Sequence, residues 1–116
     1  MLGSRKKAAG AVPKRADVPP THPGEILGET VLPSLRLSRT AAAELLQISR
    51  QTLHNIIAGE ARVTADTAVR LGKLCGNGPN IWIQLQDRWD LWHAERRNAD
   101  VLARIPTLTP TPVEFS

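Results

Sequence analysis

Between Leu37 and Gly59 the chain reads LSRTAAAELLQISRQTLHNIIAG, two short helical patterns with only a few residues between them. Each pattern opens on a serine, Ser38 or Ser49, whose hydroxyl accepts a hydrogen bond from the unpaired N–H groups of a first helical turn. In the first pattern Ala42, Ala43 and Leu46 share the inward face, with alanines where two helices must cross closely, and Ile48 plugs the turn. In the second, Leu53, Ile56 and Ile57 recur at helical spacing. That spacing buries one stripe and turns Arg50, Gln51, Thr52, His54 and Asn55 toward solvent or a ligand. Gly59 supplies the stop. The pattern predicts a helix-turn-helix.

The flanking sequence fills in a small domain around this motif. Residues 1–20, rich in Ala, Gly, Pro, Lys and Arg, read as a flexible basic arm that touches phosphates or a partner, or that is only solvated. From there Thr21 or His22 can cap a helix, Pro23 suits its first turn and Glu25 its positive end. Ile26, Leu27, Thr30 and Val31 form its buried face, and Pro33 is expected to end it. Thr64 caps a further helix with Ala68, Leu71, Gly72 and Cys75 along one face, broken at 76–78. Pro79 opens the last, in which Trp82, Leu85, Trp89 and Trp92 form a stripe that closes near Arg96 and Arg97. Trp82 and Leu85 complete the core. Trp89 and Trp92 lie beyond the length needed to cover the preceding helices, which makes them candidates for a dimer or partner interface. Residues 98–116, with Pro106, Pro110 and Pro112, read as an irregular or extended tail. The prediction is an all-α, five-helix domain over 21–97, flanked by flexible tails at 1–20 and 98–116.

Charge carries less information than the pI of about 10.0 implies. Arg5, Lys6, Lys7, Lys14 and Arg15 against Asp17 account for the whole net charge of +4, and the remaining chain balances. A nucleic-acid surface must therefore come from local placement of charge. The single cysteine, Cys75, excludes an internal disulfide and cannot alone make a zinc site. His22, His54 and His93 fall in separate patterns, so neither a catalytic triad nor a metal-ligand set is legible, and an enzyme is not expected. No apolar run reaches the roughly 18 residues that span a bilayer. A cytoplasmic protein without cofactor or metal is expected.

Three segments together carry a resemblance: HPGEIL at 22–27, SRQTLHNIIAGEARVTADTAVRL at 49–71 and GPNIWIQLQ at 78–86. With LSRTAAAELLQIS, common to Cro/CI-type domains, they make the chain similar to the HigA (VapI-like) antitoxins over roughly 22–97. Gln47 departs from the pattern where a turn glycine is frequent, and Gly78 where a Ser or Thr cap is usual. The resemblance implies a lambda-repressor-like fold, dimerisation through the C-terminal helical region, and a toxin partner, an RelE-like messenger RNA endonuclease that the complex neutralises.

A helix in the major groove presents its N-terminal residues to base edges, where arginine pairs with guanine and glutamine or asparagine with adenine. Arg50, Gln51 and Asn55 are the base-reading candidates, and the resemblance places the same positions on the DNA side. It also matches Arg39, Thr52 and Arg62 to phosphate-contacting positions. Ser38 and Ser49 can combine capping with presentation of helix N-terminal N–H groups to phosphate. His54 is expected at the rim, turned partly away from Gln51. The expected function is a dimeric repressor of its own operon on an inverted-repeat, double-stranded operator, acting as antitoxin. The alternatives are a solitary regulator with the same DNA surface, and a protein-interaction module that no longer binds DNA.

Overall fold

A computed structural model describes residues 18–111. The basic arm up to residue 17 and the end of the tail from residue 112 lie outside the described residues. The first helix, α1, runs through three consecutive pieces, Pro23–Ile26, Leu27–Val31 and Leu32–Ser34. Its cap is His22, whose Nδ1 accepts the Gly24 N–H at 2.9 Å. The middle piece is a π turn, in which an N–H reaches back five residues, as Leu32 does to the Leu27 carbonyl.

This turn alters two sequence expectations. Residues five apart share a face in a π turn, so Leu32 joins Leu27 in the core while Thr30 is exposed. Nor does Pro33 end the helix. The wider turn accommodates a ring that would otherwise press on the carbonyl four residues back. The helix closes instead at Arg36, which takes a left-handed φ of 58°. There Leu37 N–H bonds to the Leu32 carbonyl and Arg36 N–H to that of Pro33, the paired bonds of a Schellman motif.

The central helices are α2, Arg39–Leu46, and α3, Arg50–Ile57. Both serine caps form: Ser38 Oγ accepts from Ala41 N–H at 3.0 Å and Ser49 Oγ from Thr52 N–H at 2.9 Å. Ala42, Ala43, Leu46, Leu53 and Ile56 are buried, while Ile48 and Ile57 are half-buried against them. Burying one such aliphatic side chain contributes about 1.5–3 kcal/mol. At Gln47 the backbone is left-handed, with φ 59° and ψ 44°. The turn therefore has the geometry a glycine would favour, built on a residue with a side chain.

The helix α4, Ala65–Cys75, starts on Thr64 as expected, the Thr64 hydroxyl accepting from Thr67 N–H at 3.3 Å. The long α5, Asn80–Arg97, starts without a side-chain cap. Gly78 occupies the place of the usual hydroxyl residue because the backbone there has φ 79°, a conformation that Ser or Thr adopts only with strain. Trp82 is 1% exposed and closes the core, its indole N–H donating to Asn77 Oδ1 at 3.3 Å.

Two expectations for the C-terminal part are corrected. Residues 99–104 are not irregular: after Asn98 the chain forms a short helix α6, Ala99–Arg104. Leu102 N–H bonds to the Asn98 carbonyl at 2.7 Å, so Asn98 is a joint between two helices rather than a terminus. Trp89 does not lie beyond the folded body either. Its ring meets that of His22 edge-on at 5.0 Å, so α5 reaches back over the start of α1. Among the described residues there is no strand.

Two glycines of α1 explain why it sits where it does. A Cβ on Gly24 would lie 1.7 Å from the Ile56 carbonyl oxygen, and one on Gly28 would lie 2.6 Å from Ile57 Cγ2. Their missing side chains let α1 rest directly on the C-terminal end of α3. The HPGEIL segment thereby fixes the orientation of the helix that carries the exposed polar face.

Candidate nucleic-acid interface

The exposed face of α3 begins at its cap. Ser49 Oγ, besides accepting the Thr52 amide, donates to Thr52 Oγ1 at 2.7 Å. One turn on, Gln51 Nε2 donates to Asn55 Oδ1 at 2.8 Å, joining two of the base-reading candidates. Asn55 is half-buried and Gln51 exposed, so the inner amide holds the outer one in a single orientation. Fixing such a side chain in advance lowers the ordering cost of binding by about 0.5–1.5 kcal/mol.

Arg39, Arg50, Gln51 and His54 line one open depression. Arg39 comes from the first turn of α2 and Arg50 from the first turn of α3, so the starts of two helices each contribute an arginine to its walls. No carboxylate is among these walls. Such a surface favours an anion. His54 also lines the depression; four residues from Arg50, it stands one helical turn along the same face.

Arg62 is placed differently. It is not among the walls of the depression, and its guanidinium is paired with the Asp90 carboxylate of α5. Asp90 belongs to a chain of bonds that the sequence did not reveal. Gln86, only 1% exposed, accepts the Val63 N–H at 2.7 Å through Oε1 and donates to Asp90 Oδ1 at 2.9 Å through Nε2. Burial alone would raise the Asp90 carboxyl. Hydrogen bonds from Arg62 and Gln86, with the Arg62 charge, outweigh it and hold the group below the usual carboxylate value. Arg62 is thus held in place by α5 with its side chain still 54% exposed.

Further along α5, Trp92 has the Arg96 guanidinium 3.7 Å from its ring centroid, and His93 packs between Trp89 and Trp92 at 4.2 and 4.9 Å. His22, beneath Trp89, is 5% exposed. Desolvation lowers its pKa from the ordinary 6.5, with the negative charges of Asp90 and Glu25 opposing that shift. The neutral ring is also the one its cap requires, since Nδ1 must accept the Gly24 N–H.

A further residue missed by sequence reading is Arg70. Its guanidinium donates to the carbonyls of Leu46 and Gln47, at the turn between α2 and α3. The signal in the sequence was only an arginine four residues after Asp66, which by itself describes an exposed helical ion pair.

Comparison with known proteins agrees with this fold. The helix-turn-helix domain family matches residues 4–80. An uncharacterised helix-turn-helix transcriptional regulator of Haemophilus influenzae is 41% identical over 76 residues, covering 66% of this chain and 71% of that one. Virulence-associated protein I of Dichelobacter nodosus is 36% identical over 93 residues, covering 80% and 86%. Among solved structures, the Pseudomonas aeruginosa antitoxin HigA with the higBA promoter superposes with a TM-score of 0.73 at 32% identity, covering 78% of this chain and 99% of that one. The family is one of regulators and antitoxins, not of enzymes. Fold, extent of match and identity together assign the chain to the Cro/CI-type helix-turn-helix family, in its HigA (VapI-like) group.

Proposed function

We propose that this protein is a cytoplasmic antitoxin that represses its own operon by laying α3 in the major groove of a double-stranded operator. The observation that carries the reading is the convergence of Arg39, Arg50, Gln51 and His54 on one acid-free face at the starts of α2 and α3. Arg50, Gln51 and Asn55 read bases. Arg39, Thr52, Arg62 and the capped N-termini at Ser38 and Ser49 bind phosphate. One recognition helix selects too few base pairs to define a site, so two copies act on an inverted repeat with half-sites about 34 Å apart or a multiple of it. Trp89, half-buried against His22, and Trp92, one turn further along α5, supply the dimer or partner contact. The domain spans 21–97 with α6 appended, and the N-terminal arm adds basic charge. The toxin partner is an RelE-like messenger RNA endonuclease.

The test is a mobility-shift titration with DNA from upstream of the protein's own reading frame. Arg50→Ala with Gln51→Ala is expected to remove the specific shift, at about 1–3 kcal/mol for each lost bidentate base contact. An unaffected shift would contradict the assigned face. A solitary regulator remains the second reading, favoured by the Haemophilus relative, which is called a transcriptional regulator. Co-purification with the product of a neighbouring short reading frame decides between them.

A further inference from the structure

The turn between α2 and α3 is held from behind by a residue outside the reading face. Arg70, in the middle of α4, directs Nη1 to the carbonyl oxygens of Leu46 at 2.7 Å and Gln47 at 3.1 Å. Asp66, one turn earlier, accepts from its Nε at 3.0 Å and fixes the guanidinium plane. Neither carbonyl is used by the turn's own bonds. Ile48 N–H bonds to the Ala43 carbonyl and Gln47 N–H to that of Glu44, at 3.1 and 3.2 Å.

Three physical consequences converge on this contact. The two carbonyls lie at the negative end of α2, where a cation is favoured. The Gln47 carbonyl sits between the helices, three residues before Arg50 begins α3. Gln47 itself holds a left-handed conformation that a side chain makes unfavourable and that glycine adopts freely. A planar guanidinium can serve two carbonyls and a carboxylate at once, which a single ammonium cannot do with the same directions. Arg70 also lies away from the proposed DNA face. It lines a separate groove with Leu45, Val69, Lys73 and Leu74, whereas the depression is walled by Arg39, Arg50, Gln51 and His54.

We propose that Arg70 is a positioning residue for operator recognition: it keeps Gln47 left-handed and sets the angle of α3 against α2 without touching DNA. The proposal rests on the DNA-binding reading above. It also accounts for a glutamine at a left-handed turn position that glycine would favour, because a tertiary bond supplies what a glycine's freedom would.

The test uses the full-length protein and a duplex that the parent protein selects from a random-sequence library. Binding is read by fluorescence anisotropy over a salt series, at a temperature where each variant is folded by circular dichroism. Arg70→Ala is expected to bind about tenfold more weakly, the effect of losing a charge-assisted hydrogen bond. The slope of log affinity against log salt should not change, because no phosphate contact is lost. Gln47→Gly alone leaves affinity within about twofold, and in the Arg70→Ala background it restores most of the loss, since glycine holds the turn unaided. Amide exchange at Gln47 and Ile48, measured without DNA, should quicken in Arg70→Ala and slow again in the double variant. If Arg70→Ala does not fold, Arg70→Met, which keeps the aliphatic stem, carries the same comparison. An unchanged affinity, a salt slope reduced by about 0.9 as for one lost phosphate contact, or no rescue by glycine would each overturn the proposal. A parent protein that selects no sequence would refute the DNA-binding reading instead, and the exchange rates would then decide separately whether Arg70 holds the turn.

Discussion

Replacing Gly24 by alanine tests whether α1 orients the recognition helix by direct contact. In an ordinary helical position the change stabilises by about 0.5–1 kcal/mol, because alanine loses less backbone entropy on folding. Here the added Cβ would lie 1.7 Å from the Ile56 oxygen and 2.5 Å from its carbonyl carbon. Both are backbone atoms of α3, so no side-chain rotation relieves the overlap. Normal contact requires α1 to withdraw by about 1.8 Å, given van der Waals separations near 3.5 Å. Withdrawal at this point also loosens Leu27, 1% exposed in the core, and the His22 cap. Overpacking a close contact costs typically 1–3 kcal/mol, and an unyielding backbone partner puts this site at about 3 kcal/mol. For a domain of this size that lowers Tm by about 12–24 °C. The assay is thermal and urea denaturation followed by tryptophan fluorescence, at fixed protein concentration because association shifts apparent stability. Gly76→Ala is the control: it meets no atom within 4 Å but has φ 77°, so it should lose only about 1 kcal/mol to backbone strain. A Gly24→Ala protein melting within about 3 °C of the parent would refute direct contact as the reason for glycine.

Two further outcomes follow from the buried polar groups. His22 has a lowered folded pKa, mainly from desolvation, so the unfolded chain binds the proton more tightly. Its contribution is fully present above the ordinary value of 6.5 and is lost as pH falls below it toward the depressed folded pKa. His22→Asn, which keeps a capping side chain without that titration, should flatten the fall of the urea midpoint as pH drops below 6.5; an unaltered pH profile counts against the assignment. Gln86→Leu should cost about 2–3 kcal/mol in urea unfolding, because it strands the Val63 N–H and releases Asp90. A loss below about 0.5 kcal/mol would mean that the bonds through Gln86 contribute little net stability.

Local chemistry made much of this protein legible from its residues in order. Ser38, Ser49 and Thr64 cap helices because a hydroxyl at that position meets N–H groups two or three residues on. The stripes Ala42, Ala43, Leu46 and Leu53, Ile56 are buried because helical spacing alone aligns them. The helical pattern of Val101, Leu102 and Ile105 after Asp100 was equally present, but Asn98 reads as a terminus when nothing shows that the chain resumes. What tertiary structure decided lies in contacts between residues far apart. The Arg62–Asp90, Val63–Gln86 and Arg70–Leu46 bonds join positions separated by 28, 23 and 24 residues. The wider π turn in α1 likewise brings Leu32 inward and leaves Thr30 exposed. The sequence determined that a helix-turn-helix forms and which residues it exposes, because caps and periodicity act within one or two turns. The angle of its second helix was decided only in three dimensions, where Gly24 admits α1 to the end of α3 and Arg70 holds a turn built on glutamine.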